Sequence, residues 1–443
     1  MYKLLVFTLA ASLFLLSCDS QKSVDREVSD EPNPYVHVKN GHFEIADKPY
    51  YFLGTNFWYG MNLGSKGKSG NRDRLIKELD RLQQLGITNL RIMGMTEGPD
   101  SEPYRIVPSL QDSAGNYNGD LLEGLDFALA EMSKRNMTAV ICMNNFWAWS
   151  GGFAQYVQWT KPQDSIPYPP PHPNGSYDVY QKYAASFYSN QPALQRYFKA
   201  LEEIVQRKNS ITQLPYKEDK TIMAWELCNE PRGINNTENY LKWIDSSSAL
   251  IKKMDPNHLV TIGSEGETAS PEYSGVEFVK AHQFKNIDYT TVHIWIQNWN
   301  WYNPKDSLTY PSAKQKALDY LHKHTEQARS LGKPIVLEEF GIMKDHGSFD
   351  PKATNKSRDD FYNTMIGAVY EAAKRDSSIS GVNFWAWAGE GRPKKMQGWW
   401  KAGDDFIGDP PHEEQGWYSV YDTDSTTLSL LGAFGRKFGE LNK

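Results

Sequence analysis

Eight short runs of apolar and β-branched residues alternate with helical patterns along this chain, and this alternation restricts the fold most. The runs are 51–57, 89–94, 138–144, 222–229, 259–263, 289–295, 334–340 and 381–387. Apolar residues at helical spacing follow most runs; the helix at 271–282 has the weakest pattern. Alternating strands and helices predict a parallel sheet with helical cover, and eight such units predict an α/β fold, a single (β/α)8 TIM barrel.

The lengths of the connections indicate which end of the barrel carries function. The helix-to-strand connections are short, whereas the strand-to-helix loops are long, at 95–120, 145–190, 296–312, 342–356 and 388–427. In TIM barrels these loops surround the active site. They carry Trp147, Trp149, Trp159, Trp299, Trp301, Trp399, Trp400 and Trp417. Flat aromatic rings suit the apolar faces of sugars, so we expect the long loops to form a substrate cleft.

Charge and cysteine content exclude several classes of protein. The formal net charge is −6, which excludes a broad basic face for nucleic acid. Three cysteines exclude a disulfide framework and a cysteine-rich zinc site. A disulfide between Cys142 and Cys228 is allowed but not required. A monomer is the default expectation.

The first residues have the pattern of an export signal. Lys3 precedes an apolar run at 4–16, too short to span a bilayer comfortably, and the run ends Leu-Leu-Ser-Cys at Cys18. This ending resembles a bacterial lipobox; an ordinary signal peptide with a chance cysteine is the alternative. We expect a signal peptide at 1–17, a lipidated Cys18 with a flexible tether at 18–35, and a catalytic domain at 36–443. The protein would then be an exported outer-membrane lipoprotein on the periplasmic or cell-surface face.

Two of the predicted strands end in carboxylates. Residues 225–232 read Trp-Glu-Leu-Cys-Asn-Glu-Pro-Arg, and residues 334–341 read Pro-Ile-Val-Leu-Glu-Glu-Phe-Gly. Pro231 predicts an extended conformation for Glu230. Two carboxylates at one barrel rim are the equipment of glycoside cleavage, in which one donates a proton and the other attacks carbon or activates water.

The ordered set of motifs resembles glycoside hydrolase family 5, in its endo-β-1,4-mannanase branch. The matching pieces lie at 54–60, 90–93, 144–145, 151–152, 225–232, 293–295, 337–341 and 384–387, and the resemblance covers nearly all of 40–442. The Asn-Glu-Pro-Arg ending and the long loop at 145–190 favour mannanases over cellulases. Alternatives are another β-glycan hydrolase such as a cellulase, an exo-β-mannosidase, or a non-catalytic surface lipoprotein that binds glycans.

The resemblance implies a retaining double displacement with Glu230 as acid/base and Glu339 as nucleophile. Alternation along the strand puts Glu338 and Glu339 on opposite sides, and the family pattern selects Glu339. Glu226 is expected to be a buried, paired charge. Because the nucleophile must be ionised, we expect donors to Glu339 from Arg91 and from an aromatic residue near His293. We expect burial and the charge of Glu339 to raise the pKa of Glu230.

The resemblance also implies supporting roles in substrate binding. Asn229 matches a residue that holds the sugar 2-hydroxyl, Trp385 matches the floor of the −1 subsite, and Arg232 matches a contact to the +2 sugar. Trp58 and Asn145 are expected in the cleft walls. Trp295 stands where many family members have tyrosine, and its indole can donate a hydrogen bond but not accept one. His293 has an alternative reading as a buried neutral histidine.

The chemistry implied by the family requires neither cofactor nor metal. Asp404, Asp405, Asp409 and His412 leave a metal site open as an alternative in the loop 388–427. We favour turns instead, since aspartates bond their own backbone. The expected partner is a β-mannan polysaccharide.

Overall fold

The computed structural model describes residues 32–268, 273–375 and 377–443, and one compact unit spans Asn33–Lys443. The predicted signal peptide and nearly all of the tether, residues 1–31, lie outside the described residues. The strands are β1 His37–Lys39, β2 His42–Ile45, β3 Lys48–Pro49, β4 Phe52–Asn56, β5 Asn89–Met93, β6 Thr138–Cys142, β7 Ile222–Glu226, β8 Leu259–Thr261, β9 Thr290–Ile294, β10 Ile335–Phe340, β11 Ile379–Phe384, β12 Trp387–Gly389 and β13 Val420–Tyr421.

Helices cover the outside of the sheet. They are α1 Gly60–Gly64, α2 Arg72–Gln84, α3 Gly119–Ser133, α4 Gly152–Thr160, α5 Tyr177–Ala185, α6 Gln191–Val205, α7 Thr237–Met254, α8 Phe278–His282, α9 Tyr310–Ser330, α10 Lys356–Ala373 and α11 Ser425–Leu441. No helix among the described residues is long and apolar enough to cross a membrane.

Eight parallel strands form the predicted barrel. Their order is β8-β7-β6-β5-β4-β11-β10-β9. The seam between β8 and β9 is bridged by backbone hydrogen bonds from Asp288 N to Val260 O (2.8 Å) and from His293 N to Glu265 O (3.2 Å). Each of the eight predicted runs overlaps one barrel strand, so the prediction of a (β/α)8 barrel is confirmed.

Local sequence signals set the helix ends. The side chain of Asn71 caps α2 by accepting from Arg74 N, and Asn118 caps α3 in the same way. Gly86, at φ 72°, follows α2, where an αL residue lets the chain leave the helix. Leu75, Leu79 and Leu82 recur on one face of α2 and are buried. Burial of such faces against the strands holds the helical layer to the barrel.

A three-stranded hairpin sheet closes the end of the barrel where the strands begin. Phe43 of β2 packs edge-on against Tyr289, with ring centroids 5.2 Å apart, and shares an apolar cluster with Val36 and Phe52. The sequence analysis did not predict this sheet. Its signal was present, because Asn40 and Gly41 occupy the positive-φ positions of a tight hairpin turn.

The structure changes two other details. The weak helix expected at 271–282 is only Phe278–His282, and residues 269–272 lie outside the described part. The loop 145–190 contains α4 and α5, which were not predicted. Cys142 and Cys228 are both free and buried, so the allowed disulfide is not formed.

Candidate active site

A cleft of about 530 Å³ lies at the end of the barrel where the strands finish. Glu230 and Glu339 both line it. Five of the eight loop tryptophans line it too, together with Trp295 and Trp385 from the strand ends; the five are Trp147, Trp149, Trp299, Trp399 and Trp417. The volume falls within the range of roughly 300–1,000 Å³ typical of small-ligand sites.

Glu230 follows β7 and is held from two sides. His293 Nδ1 donates to its Oε1 at 2.8 Å, and Trp147 Nε1 donates to its Oε2 at 2.7 Å. The prediction of an extended Glu230 is wrong, since its φ is 51°, in the left-handed region. The backbone is fixed there by the hydrogen bond from Glu230 N to Gly263 O (2.9 Å). Strain of this kind is concentrated at functional residues.

Glu339 lies on β10 opposite Glu230. Arg91 donates to its Oε1, and His293 Nδ1 lies 3.3 Å from its Oε2. One carboxylate oxygen of Glu230, one of Glu339 and a nitrogen of His293 all lie within 4.8 Å of one another. Glu338 does not line the cleft; its Oε2 lies 3.4 Å from His293 Nε2. The ladder to β9 is irregular between Leu337 and Glu339, so both neighbouring carboxylates approach His293.

The pKa values of Glu230 and Glu339 are in the reverse of the order expected from the sequence. Burial raises the pKa of Glu339 to about 7, against the opposing charges of His293 and Arg91. Burial also acts to raise the pKa of Glu230, but hydrogen bonds and charge from His293 outweigh it and the pKa falls to about 2. Glu230 is therefore the more acidic of the two carboxyls.

His293 is the group that carries a proton. Burial lowers its pKa, but the charge of Glu339 and the contacts with Glu230 and Glu338 outweigh burial and raise the pKa to about 10. These contacts favour the protonated ring over the alternative of a buried neutral histidine. An imidazolium among three carboxylates balances part of their charge.

Arg91 supplies the permanent positive charge under the cleft. Its Nε and Nη2 donate to the two carboxylate oxygens of Glu226 at 2.7 and 2.6 Å. Its Nη2 also donates to Asn229 Oδ1 at 2.8 Å. The carboxylates raise the pKa of Arg91 well above its usual value despite burial. The expectation that Glu226 is a buried, paired charge is confirmed.

Trp58 and Asn145 were expected in the cleft walls; Trp58 lines a small cavity with Trp149, Asn229 and Trp385, which also line the main cleft. Trp58 and Asn145 are almost fully buried and neither lines the main cleft. Trp58 Nε1 donates to Gly408 O at 3.0 Å, which ties the end of β4 to the loop 388–427. Asn145 Oδ1 accepts from Asn229 Nδ2 at 3.1 Å and so positions that side chain. Large aromatic and amide groups at strand ends pack behind the wall here rather than on it.

Arg232 lines one stretch of the cleft. Its Nε and Nη2 donate to the carboxylate of Glu265 at 2.6 and 2.8 Å, and its Nη1 donates to Gln181 Oε1 at 2.7 Å. Its guanidinium lies 4.9 Å from the ring centre of Trp147. The sequence analysis did not assign Trp147, Gln181 or Glu265 to the site. Only Trp147 had a signal, its place two residues after Asn145 among the tryptophans of the long loops.

Trp295 and Trp385 meet edge-on in the cleft, with ring centroids 5.8 Å apart. The groups of the described residues that contact the oxygens of Glu339 are Arg91 and His293. The expectation of an aromatic donor to Glu339 at Trp295 is therefore wrong: the indole packs on Trp385 and Tyr418 instead.

Metal ligation has one geometric candidate among the described residues, the cluster of Glu230, His293 and Glu339. Arg91 bonds directly to Glu339, and its fixed positive charge opposes a cation there. In the loop 388–427, Asp409 accepts from the backbone N of Gly416 at 2.9 Å and of Tyr418 at 2.5 Å. Asp409 thus builds a turn.

Known proteins resemble this chain along nearly its whole length. The family model "GH family 5 beta-mannosidase-like" matches residues 33–443. "Mannan endo-1,4-beta-mannosidase 5" of Solanum lycopersicum is 29% identical over 406 residues, which is 87% of this chain and 90% of that protein.

Solved structures give the same result. The glycoside hydrolase family 5 mannosidase from Rhizomucor miehei is 36% identical with a TM-score of 0.85, covering 93% of this chain and 99% of that one. A mutant of it has been solved in complex with mannosyl-fructose. The endo-1,4-beta-mannanase from the same organism shares the fold, with a TM-score of 0.67 at 22% identity over 92% of this chain and 99% of that one. The chain therefore belongs to glycoside hydrolase family 5, in its β-mannosidase-like group.

Proposed function

We propose that this glycoside hydrolase cleaves β-1,4-mannosidic linkages with retention of configuration, using Glu339 as nucleophile and Glu230 as acid and base. The spacing of the two carboxylates carries the proposal, because their nearest oxygens lie within 4.8 Å. Carboxyl groups about 5–5.5 Å apart are typical of retaining enzymes, and separations of about 6.5–9.5 Å are typical of inverting ones. The relatives named as mannanases and mannosidases support the mannoside as substrate.

In the first step, Glu339 attacks the anomeric carbon and the glycosidic bond breaks. Glu230 donates a proton to the leaving oxygen, which departs as a hydroxyl. Arg91 contacts Glu339 and holds it in position for attack. In the second step Glu230 takes a proton from water, which attacks the anomeric carbon and releases Glu339 as a carboxylate.

The proton that Glu230 donates is supplied across its hydrogen bond with His293. Transfer from His293 Nδ1 to Glu230 Oε1, 2.8 Å apart, converts an imidazolium and a carboxylate into a neutral imidazole and a carboxylic acid. The charge of Glu339 is the strongest influence that raises the pKa of His293. Once Glu339 is esterified this charge is gone, so Glu230 and His293 hold the proton less firmly and Glu230 can act as a base.

The supporting residues have assigned places in this scheme. Asn229 keeps one amide hydrogen for a sugar hydroxyl, since its oxygen accepts from Arg91 and its nitrogen donates to Asn145. Trp385 forms the floor under the sugar that is cleaved. Arg232, held by Glu265, contacts the departing part of the substrate, beside Trp147.

The cleft supports action at a chain end. Loops after different strands meet beside it: the rings of Tyr104 and Trp399 lie 5.4 Å apart, and those of Trp149 and His412 lie 6.1 Å apart and parallel. These contacts join the loops after β5 and β6 to the loop after β11, which supports a chain end, rather than a chain that runs through the cleft, as the bound part of the substrate. The 36% identity to a family 5 mannosidase supports a mannoside substrate for either mode of action. Endo-cleavage is the second candidate, favoured by the tomato relative's name.

The test is a product profile with β-1,4-mannopentaose labelled at its reducing end. We expect free mannose and labelled mannotetraose as first products, and proton NMR should show the β-anomer of mannose forming first. Labelled mannobiose and mannotriose as first products would establish the endo candidate instead. Initial release of the α-anomer would contradict retention, and cleavage of cello-oligosaccharides alone would contradict the mannoside assignment.

We also propose that the protein is exported and anchored through a lipid on Cys18. The apolar run at 4–16 and the Leu-Leu-Ser-Cys ending support this. In a bacterial host, the wild-type chain should partition into the detergent phase and carry acyl groups on an N-terminal cysteine by mass spectrometry. The Cys18→Ser variant should lose both properties; a detergent-phase Cys18→Ser protein would contradict the anchor.

A further inference from the structure

The wall of the cleft contains polar atoms that no described residue satisfies. Glu413 lines the same cavity as Glu339 and Trp385, and its Oε2 is buried with no hydrogen-bond partner among the described residues. Trp385 Nε1 and His412 Nδ1 are buried and unpartnered in the same way, and both residues line this cavity. Other buried side-chain atoms of the described residues also lack a partner, but these three surround one cavity, which points to a ligand rich in hydroxyl groups.

The loop around Glu413 is tightly built. Asp409 accepts hydrogen bonds from the backbone N of Gly416 and Tyr418, and Glu413 N donates to Pro410 O at 2.9 Å. Gln415 Nε2 donates to the backbone oxygens of both Asp409 and Pro410, at 3.0 and 3.1 Å. The carboxylate of Glu413 is thus presented by a fixed turn.

Leaving this carboxylate unpaired is unfavourable for the fold. Burial raises the pKa of Glu413 well above its usual range, and the charges of Asp409, Glu339 and Glu230 raise it further. A buried acceptor without a partner costs about 1–3 kcal/mol, and more for a charged group. Hydroxyl donors from a bound sugar would supply the missing hydrogen bonds. His412, whose pKa burial lowers to about 3, is a neutral ring that can both donate and accept.

We propose that Glu413 is a substrate-binding residue whose carboxylate accepts hydrogen bonds from hydroxyls of the mannosyl unit that is cleaved, and so selects that sugar. The inference rests on the proposed function, since it assigns a partner within the same site. Together with Glu413, His412 and the indole of Trp385 would hydrogen-bond to the hydroxyls of one sugar ring. A glutamine at position 413 would keep the shape but lose the charge-assisted bonds.

The experiment compares wild type, Glu413→Gln and the matched control Glu440→Gln, an exposed glutamate of α11. The substrates are 4-nitrophenyl β-mannoside and its analogues that each lack one hydroxyl. We expect Glu413→Gln to lower kcat/KM on the parent mannoside roughly 10- to 100-fold. At least one deoxy analogue should impose a similar loss on wild type but little further loss on the variant. Without sugar, the Tm of Glu413→Gln should equal or exceed that of wild type, because the amide cannot acquire the negative charge that burial and the neighbouring carboxylates disfavour.

Other outcomes overturn the proposal. A Glu413→Gln enzyme within twofold of wild type would do so, and so would an equal loss on every analogue accompanied by a lower Tm, which is the signature of a structural role. Failure of the proposed function would give a different result: wild type would hydrolyse 4-nitrophenyl β-glucoside but not the mannoside. The role of Glu413 would then be tested by the same comparison of kcat/KM on the glucoside and its deoxy analogues. Absence of turnover on both parents would overturn both proposals.

Discussion

The two ends of this barrel differ in what the same eight strands bury, apolar side chains at one end and charged side chains at the other. Where the strands begin, Phe43, Phe52 and Tyr289 form an apolar plug beneath the sheet. Where they finish, Arg91 and Glu226 belong to a buried cluster of charges. Apolar burial stabilises a fold directly, whereas buried charges contribute only when they are paired and hydrogen-bonded. Stability and activity should therefore respond separately to substitutions at the two ends.

Replacing the proposed nucleophile should give the largest effect. We expect Glu339→Gln to lower kcat on a β-mannoside by at least about 1,000-fold, because no other group can form the covalent intermediate. Its Tm should not fall, since one buried negative charge is removed and Arg91 keeps Glu226 as partner. Steady-state kinetics and thermal unfolding measure the two quantities. The control is Glu338→Gln, which should keep most activity; the reverse pattern would exchange the roles of the two glutamates.

A substitution at the plugged end should do the opposite. Phe43 is fully buried, and Phe43→Ala should lower the free energy of unfolding by about 3–5 kcal/mol through lost burial and the resulting cavity. Per folded molecule, kcat should stay within twofold of wild type. Urea unfolding with kinetics measured below the transition checks both values. A large loss of kcat with unchanged stability would mean that the two ends are coupled.

Stability should also depend on pH through the charged end. The folded pKa of His293, about 10, lies above its ordinary value of about 6.5. Its ion pairs therefore stabilise the fold fully below pH 6.5, and this contribution is lost as the pH rises through 10. The gap in unfolding free energy between wild type and His293→Gln should shrink by on the order of 4 kcal/mol from pH 6.5 to 10. Urea unfolding at several pH values measures this gap, and a constant gap would show that His293 does not carry the proton.

The smallest effect concerns one hydrogen bond at the rim. Trp147 Nε1 donates to Glu230 Oε2 at 2.7 Å, and Trp147→Phe keeps most of the ring while removing this donor. We expect a loss of roughly 5- to 20-fold in kcat/KM and less than 1 kcal/mol in stability, because a bond to a charged acceptor is lost near the surface. Trp159→Phe is the matched control, since Trp159 does not line the cleft. Equal losses of kcat/KM in both variants would contradict a specific role for Trp147.

The frame of the molecule was predictable from sequence because its signals are local. Short apolar runs mark the barrel strands, which are three to six residues long, and Asn71 or Gly86 marks a helix end, without reference to the rest of the chain. The long strand-to-helix loops and the carboxylates Glu230 and Glu339 followed from the same alternation. The hairpin that carries Phe43 also has a local signal, the Asn40-Gly41 turn, but the sequence analysis did not predict it.

Properties that depend on distant neighbours were not predictable. The order of the carboxyl pKa values was inverted because His293, from another strand, lies between Glu230 and Glu339. The left-handed φ of Glu230 overrides the local preference set by Pro231. Trp58 lies outside the main cleft because its indole donates a hydrogen bond to Gly408 O, 350 residues later in the chain. Each case depends on contacts between residues far apart in sequence.

The position of the hairpin has a consequence for how a tethered enzyme would work. Asn33 O accepts from Ala46 N at 2.8 Å and Val36 lies in the plug, so the chain enters the domain at the pole opposite the cleft. The loops that surround the cleft therefore lie at the other end of the domain from Asn33, so a tether joined there would not start beside the substrate.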